Sequence, residues 1–89
     1  MLERELTVTN RLGLHARATA KLVQVLSGFR SNTTLVAKGR EVNAKSIMGV
    51  MLLAAGQGTP VTVRADGPDE AEAVAAVAEL FERNFDEAQ

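Results

Sequence analysis

At 89 residues the chain fits one compact domain, residues 1–89, with no room for a second. Ten basic against eleven acidic residues leave a net charge of -1, which argues against an electrostatically driven nucleic-acid binder. The absence of cysteine excludes disulfides and thiolate-ligated metals.

Hydrophobic residues make up 46% of the chain and aromatics only 3%, so the core must be aliphatic. A domain of this length buries roughly 60–65% of its unfolded surface, which implies modest stability. The opening Met1-Leu2-Glu3-Arg4-Glu5 has neither the basic n-region nor the apolar h-region of a signal peptide. The longest apolar stretch, Ile47 to Ala55, is too short for a membrane span and is broken by Gly49. A cytoplasmic protein without membrane insertion is the expectation.

Leu6-Thr7-Val8-Thr9 alternates and is rich in β-branched residues, predicting a strand over about 3–9. Asn10-Arg11-Leu12-Gly13 breaks it. From Ala16 a helical pattern puts Ala18, Leu22, Val25, Leu26 and Phe29 on one face, with Gly28 as a stop. Thr33 to Ala37 reads as a second strand, Lys38-Gly39-Arg40 as a turn, and Glu41 to Asn43 as the returning strand of a hairpin. Ser46 can cap a short helix from Ile47 to about Leu53, closed near Gly56 and Gly58.

Pro60 to Ala65 is the fourth strand. Asp66-Gly67-Pro68-Asp69-Glu70 carries helix-start signals: a capping residue, proline in the first turn, then carboxylates favoured by the helix dipole. The last helix sets Val74, Val77, Ala78, Phe81 and Phe85 on one stripe, against Glu72, Glu79, Glu82 and Arg83. The order β-α-β-β-α-β-α, with helices gathered on one face, predicts an α+β sandwich. Spacing alone does not give the strand order.

His15 is the only histidine, placed where a loop turns into the first helix. At an N-cap its ring is expected over first-turn N–H groups that lack intrahelical partners. Those donors and the positive end of the dipole form an anion site. The same field opposes an imidazolium, favouring a neutral, nucleophilic ring. A phosphorylated ring would then face backbone donors and the Arg17 guanidinium, which suits phosphate oxygens. Taken alone, a loop histidine beside an arginine is more often a helix cap and a solvated charge.

Ser46 has an ordinary explanation as an N-cap. Ile47, Met48, Val50, Met51 and Leu52 are too many apolar residues for one buried face of a two-turn helix. They fit either a tightly packed small core or an adaptable docking patch that reaches solvent. With one histidine and no cysteine, no metal cluster is expected, and no cofactor.

Asn10-Arg11-Leu12-Gly13-Leu14-His15-Ala16-Arg17, followed by Lys21-Leu22-Val23, resembles the active-site segment of the HPr phosphocarriers. These are the histidine-containing proteins of the bacterial phosphoenolpyruvate phosphotransferase system. Asn43-Ala44-Lys45-Ser46-Ile47-Met48-Gly49-Val50-Met51 resembles the same family's regulatory-serine motif and the short helix after it. The resemblance covers essentially the whole chain. It implies an open-faced β-sandwich: a four-stranded antiparallel sheet with three helices on one face.

By that resemblance, His15 takes phosphate on Nδ1 from phospho-enzyme I and passes it to an enzyme IIA-type domain. Arg17 and the Ala16 backbone N–H steady the phosphate, and the protein carries phosphate rather than acting as an enzyme on a small molecule. Ser46 is the implied target of an HPr kinase/phosphorylase. Ile47, Met48 and Met51, with Ala20 and Gln24 on the first helix, are the implied partner-binding surface. Lys45, Arg11 and Lys21 are expected to form a basic rim around it. Family members act as monomers, and a monomer is expected here.

One departure is Ala18-Thr19, where most relatives have proline after the arginine. Alanine restores an N–H and loosens the segment, and phosphotransfer is expected to survive the change. Two branches fit: the sugar-transport HPr proteins and the nitrogen-related NPr proteins, whose endings the tail from Glu79 to Glu87 resembles. A regulatory module that only binds, through Ser46, is the reading from another class; His15 argues against it.

Overall fold

In the computed structural model, which describes residues 1–86, the elements run β1 (Leu2–Thr7), α1 (Ala16–Leu26), β2 (Asn32–Ala37), β3 (Arg40–Asn43), α2 (Ile47–Leu52), β4 (Pro60–Asp66) and α3 (Glu70–Glu82). A short 3₁₀ turn, Asn84–Asp86, follows. The four strands form one antiparallel sheet in the order β1-β4-β2-β3. This is the α+β sandwich that the alternating elements predict.

Strand alternation divides the sheet into two faces. Thr33, Leu35 and Ala37 of β2 and Val61, Val63 and Ala65 of β4 turn inward. There they join Leu22, Leu26, Val74, Val77 and Phe81 from the helices in a single core. On the open face Arg64 bonds Glu3 at 2.6 Å and Glu41 at 2.7 Å, tying three strands together.

Several boundaries differ from expectation. β1 stops at Thr7, because its ladder partner there is Pro60, which has no N–H to donate. Val8 instead pairs with the preceding loop, bonding Thr59 O at 3.0 Å and accepting from Gly58 N at 2.7 Å. Pro68 lies outside the last helix, whose N-cap is Asp69. Phe85 is not on a helical stripe: α3 ends at Glu82, and Phe85 reaches the core from a turn at φ 55. Its ring lies 5.1 Å from that of Phe81, which explains the burial. Of the tail resemblance, Glu87 lies outside the described residues.

The Lys38-Gly39 hairpin has both turn residues at positive φ (54 and 76), as a two-residue primed turn requires. Arg40 is therefore not in the turn but pairs with Ala37.

Asp69 does not cap its own helix with its side chain. Its carboxylate accepts from Arg30 N and Ser31 N, each at 2.9 Å, and from the Ser31 hydroxyl. This clamps the α1–β2 connection to the start of α3. The Ser31 hydroxyl first, then the Arg30 N–H, hold the carboxyl at about 2, below its ordinary 3.8. A folded-state value depressed in this way stabilises the fold above the unfolded pKa, and the contribution is lost as pH falls from 3.8 towards 2. Asp69→Asn is expected to lower the melting temperature at neutral pH and to flatten the acid limb of a stability–pH curve. Identical curves for the two proteins would contradict the clamp.

Candidate functional site

The chain reaches His15 through a tightly built loop. Asn10 is buried, and its Nδ2 donates to Gly13 O at 2.7 Å, while Gly13 N donates back to Asn10 O at 3.2 Å. Gly13 sits at φ 68, and a Cβ there would lie 2.5 Å from Ala55 O and 2.8 Å from Gly56 Cα. Only glycine tolerates both that backbone angle and that approach. One residue on, Leu14 N donates to Ala55 O at 2.9 Å, and the Leu14 side chain enters the core.

His15 is thereby delivered as the N-cap of α1, extended at φ -73 and ψ 177. Its carbonyl accepts from Thr19 N at 2.9 Å, and the buried Thr19 hydroxyl donates to Leu14 O at 3.2 Å. His15 holds the N-cap position as expected, but the plain alternative, a histidine whose side chain caps the helix, does not hold: no side-chain cap bond forms. Favoured caps are short polar side chains, and an imidazole is longer and stiffer. Helix geometry leaves the N–H groups of Ala16, Arg17 and Ala18 without intrahelical acceptors, and no acidic residue stands in the first turn. The ring is half-buried with Nε2 shielded from solvent. Arg17 is exposed at the second helical position.

The basic rim is only partly as expected. Arg11 is exposed in the His15 loop, whereas Lys21 bonds Asp86 at 3.3 Å. Lys45 directly precedes the Ser46 cap of α2, and its Nζ donates to Phe29 O at 2.7 Å, just past the end of α1 opposite His15. Eleven helical residues put roughly 16 Å between the two ends. A charge-assisted hydrogen bond to a backbone carbonyl near the negative end of the helix dipole explains the placement.

Ser46 is the N-cap of α2, and its Oγ accepts from Gly49 N at 3.1 Å. Along α2, Val50 turns inward while Ile47, Met48 and Met51 are exposed, Met48 to 76%. Ala20 and Gln24, one turn apart on α1, are also exposed. Leu12 (64%) and Leu52 (62%) are exposed too; Leu52 stood in the α2 apolar run but not among the named partner-binding residues, and Leu12 was not singled out. Leu52 was legible from the inward spacing of Val50 and Leu53; Leu12 had no signal beyond its place in a loop. Among the described residues no group of three His, Asp or Glu is placed to hold a metal ion. No described helix is long and apolar enough to cross a membrane.

An open-faced α+β sandwich that offers one histidine at the mouth of its first helix has the build of a histidine phosphocarrier. The family model described as the PTS HPr component phosphorylation site matches residues 2–83, and the chain belongs to that family of phosphoryl carriers. It is 74% identical over 87 residues to the phosphocarrier protein HPr of Xylella fastidiosa, covering 98% of each chain. Among solved structures it is similar to HPr-C-His of Thermoanaerobacter tengcongensis, with a TM-score of 0.95, 43% identity and full coverage of both chains. An HPr dimer from the same organism aligns at a TM-score of 0.79 and 44% identity, over 98% of this chain and 100% of that one.

Gly13→Ala forces a left-handed alanine into contact with the Ala55 carbonyl. It is expected to destabilise the fold by about 2 kcal/mol or more, read from urea unfolding. A loss below about 0.5 kcal/mol, the usual range of a neutral surface change, would contradict the contact.

Proposed function

We propose that His15 accepts a phosphoryl group on Nδ1 from phospho-enzyme I and passes it to a histidine of an enzyme IIA-type domain. As the Nδ1–P bond forms, the donor's bond to phosphorus breaks; the acceptor step repeats this with His15 as the leaving group. The observation that carries the reading is the free choice of anion at the mouth of α1. The ring makes no cap bond to the first-turn donors, and no residue of that turn is acidic. The inward-facing Nε2 favours Nδ1 as the attacking atom. Ala16 N–H and the Arg17 guanidinium stabilise the bound phosphate.

Ile47, Met48 and Met51, with Ala20 and Gln24, form the docking surface for both partners in this reading. Their exposure supports it. In this reading the protein works as a monomer in the cytoplasm, a single chain holding the acceptor ring, the first-turn donors and the arginine. The acceptor domain serves sugar uptake, its regulation, or both.

Ser46 is the regulatory position, modified by an HPr kinase/phosphorylase. Its Oγ lies at the start of the helix that carries the docking surface. A phosphate there adds negative charge to the face that enzyme I approaches.

Incubation with enzyme I and phosphoenolpyruvate is expected to add one acid-labile phosphate, which His15→Ala abolishes. Phosphate on the alanine variant, or none on the unsubstituted chain, would overturn the carrier reading. In the same assay Ser46→Asp is expected to slow charging about tenfold or more through like-charge repulsion. Unchanged charging would remove the regulatory role.

A further inference from the structure

The carbonyl that anchors the His15 loop lies one residue beyond a strained corner. α2 ends at Leu52, Leu53 is its C-cap, and Ala54 follows at φ 48. That left-handed position after a helix is usually glycine, because a Cβ there crowds the backbone. α2 carries no basic residue in its last turn to meet its terminal carbonyls.

Two cations of the β2–β3 hairpin supply what α2 lacks. Arg40 Nη1 donates to Leu52 O at 3.3 Å, and Lys38 Nζ donates to Ala54 O at 2.8 Å. The next residue, Ala55, is buried, and its carbonyl accepts the Leu14 amide at 2.9 Å while lying against Gly13. A continuous set of contacts therefore runs from Lys38 to the residue before His15. A rotation at Ala54 would swing the Ala55 carbonyl away from Leu14.

We propose that Lys38 is a positioning residue for phosphoryl transfer. By gripping the Ala54 carbonyl it holds the left-handed corner that aims Ala55 at Leu14, and so sets His15 over the mouth of α1. The inference rests on His15 as the phosphoryl acceptor. It assigns Lys38 no contact with phosphate.

The test compares Lys38→Met, Lys38→Arg and the double variant Lys38→Met/Ala54→Gly with the unsubstituted chain. Single-turnover phosphorylation by phospho-enzyme I is followed across donor concentrations, together with backbone amide exchange. Lys38→Met is expected to lower the saturated rate about tenfold, the effect of a sub-ångström misplacement of a reacting group. Exchange at Leu14 should rise while Leu35 and Val63 stay protected, showing that the fold is intact. Lys38→Arg should keep the normal rate, and Ala54→Gly should restore it in the methionine background, since glycine holds the corner unaided.

A change confined to the half-saturating donor concentration would make Lys38 a docking residue and overturn the proposal. So would normal Leu14 exchange in Lys38→Met, or a double variant no faster than Lys38→Met. Amide exchange needs no partner protein, so it judges the anchor separately from the carrier reading.

Discussion

The hydrogen bond from Leu14 N to Ala55 O is the constraint on which the site depends. In net stability such a bond contributes only about 1 kcal/mol. Its importance is geometric, because the residue after Leu14 is the histidine that opens α1. Gly13 makes the bond reachable by bringing two backbones closer than any Cβ permits. Buried Asn10 closes the loop on the other side. The donors at a helix mouth are useful to a reacting ring only when the ring is held at a fixed height above them.

The two helix starts on this surface are handled in opposite ways. At α2 the Ser46 hydroxyl occupies the Gly49 N–H, as an ordinary cap does. At α1 the N-cap side chain makes no such bond. One helix start is capped by its own side chain and the other is not. Four apolar side chains on α2 remain exposed, Ile47, Met48, Met51 and Leu52, which is the exposure that the proposed docking role would explain.

Much of the fold was legible because its signals are local. Alternation marked the strands, and helical spacing placed Ala18, Leu22 and Leu26 on the buried face of α1. Failures came where a distant residue decides a local outcome. Pro60, more than fifty positions away, ends β1 at Thr7 by withholding a donor. Asp69 reads as a first-turn carboxylate but stands at the N-cap position and serves the Ser31 loop, where it finds three donors. Lys45 reads as a free rim charge, yet its ammonium donates to the Phe29 carbonyl, sixteen positions back in the chain. His15 and Ser46 stood out through family resemblance, since neither residue type announces its chemistry. Gly13 read only as a strand breaker, and nothing in an alanine's neighbours reveals that Ala54 is left-handed.

The most direct measurement is the nuclear magnetic resonance spectrum of the ¹⁵N-labelled protein before and after charging by enzyme I. Phosphorus coupling should identify Nδ1 of His15, and the amide protons of Ala16 and Arg17 should move as they take up hydrogen bonds to phosphate. A phosphate coupled to any other atom, or first-turn amides that stay in place, would contradict a donor-lined helix mouth as the seat of the reaction.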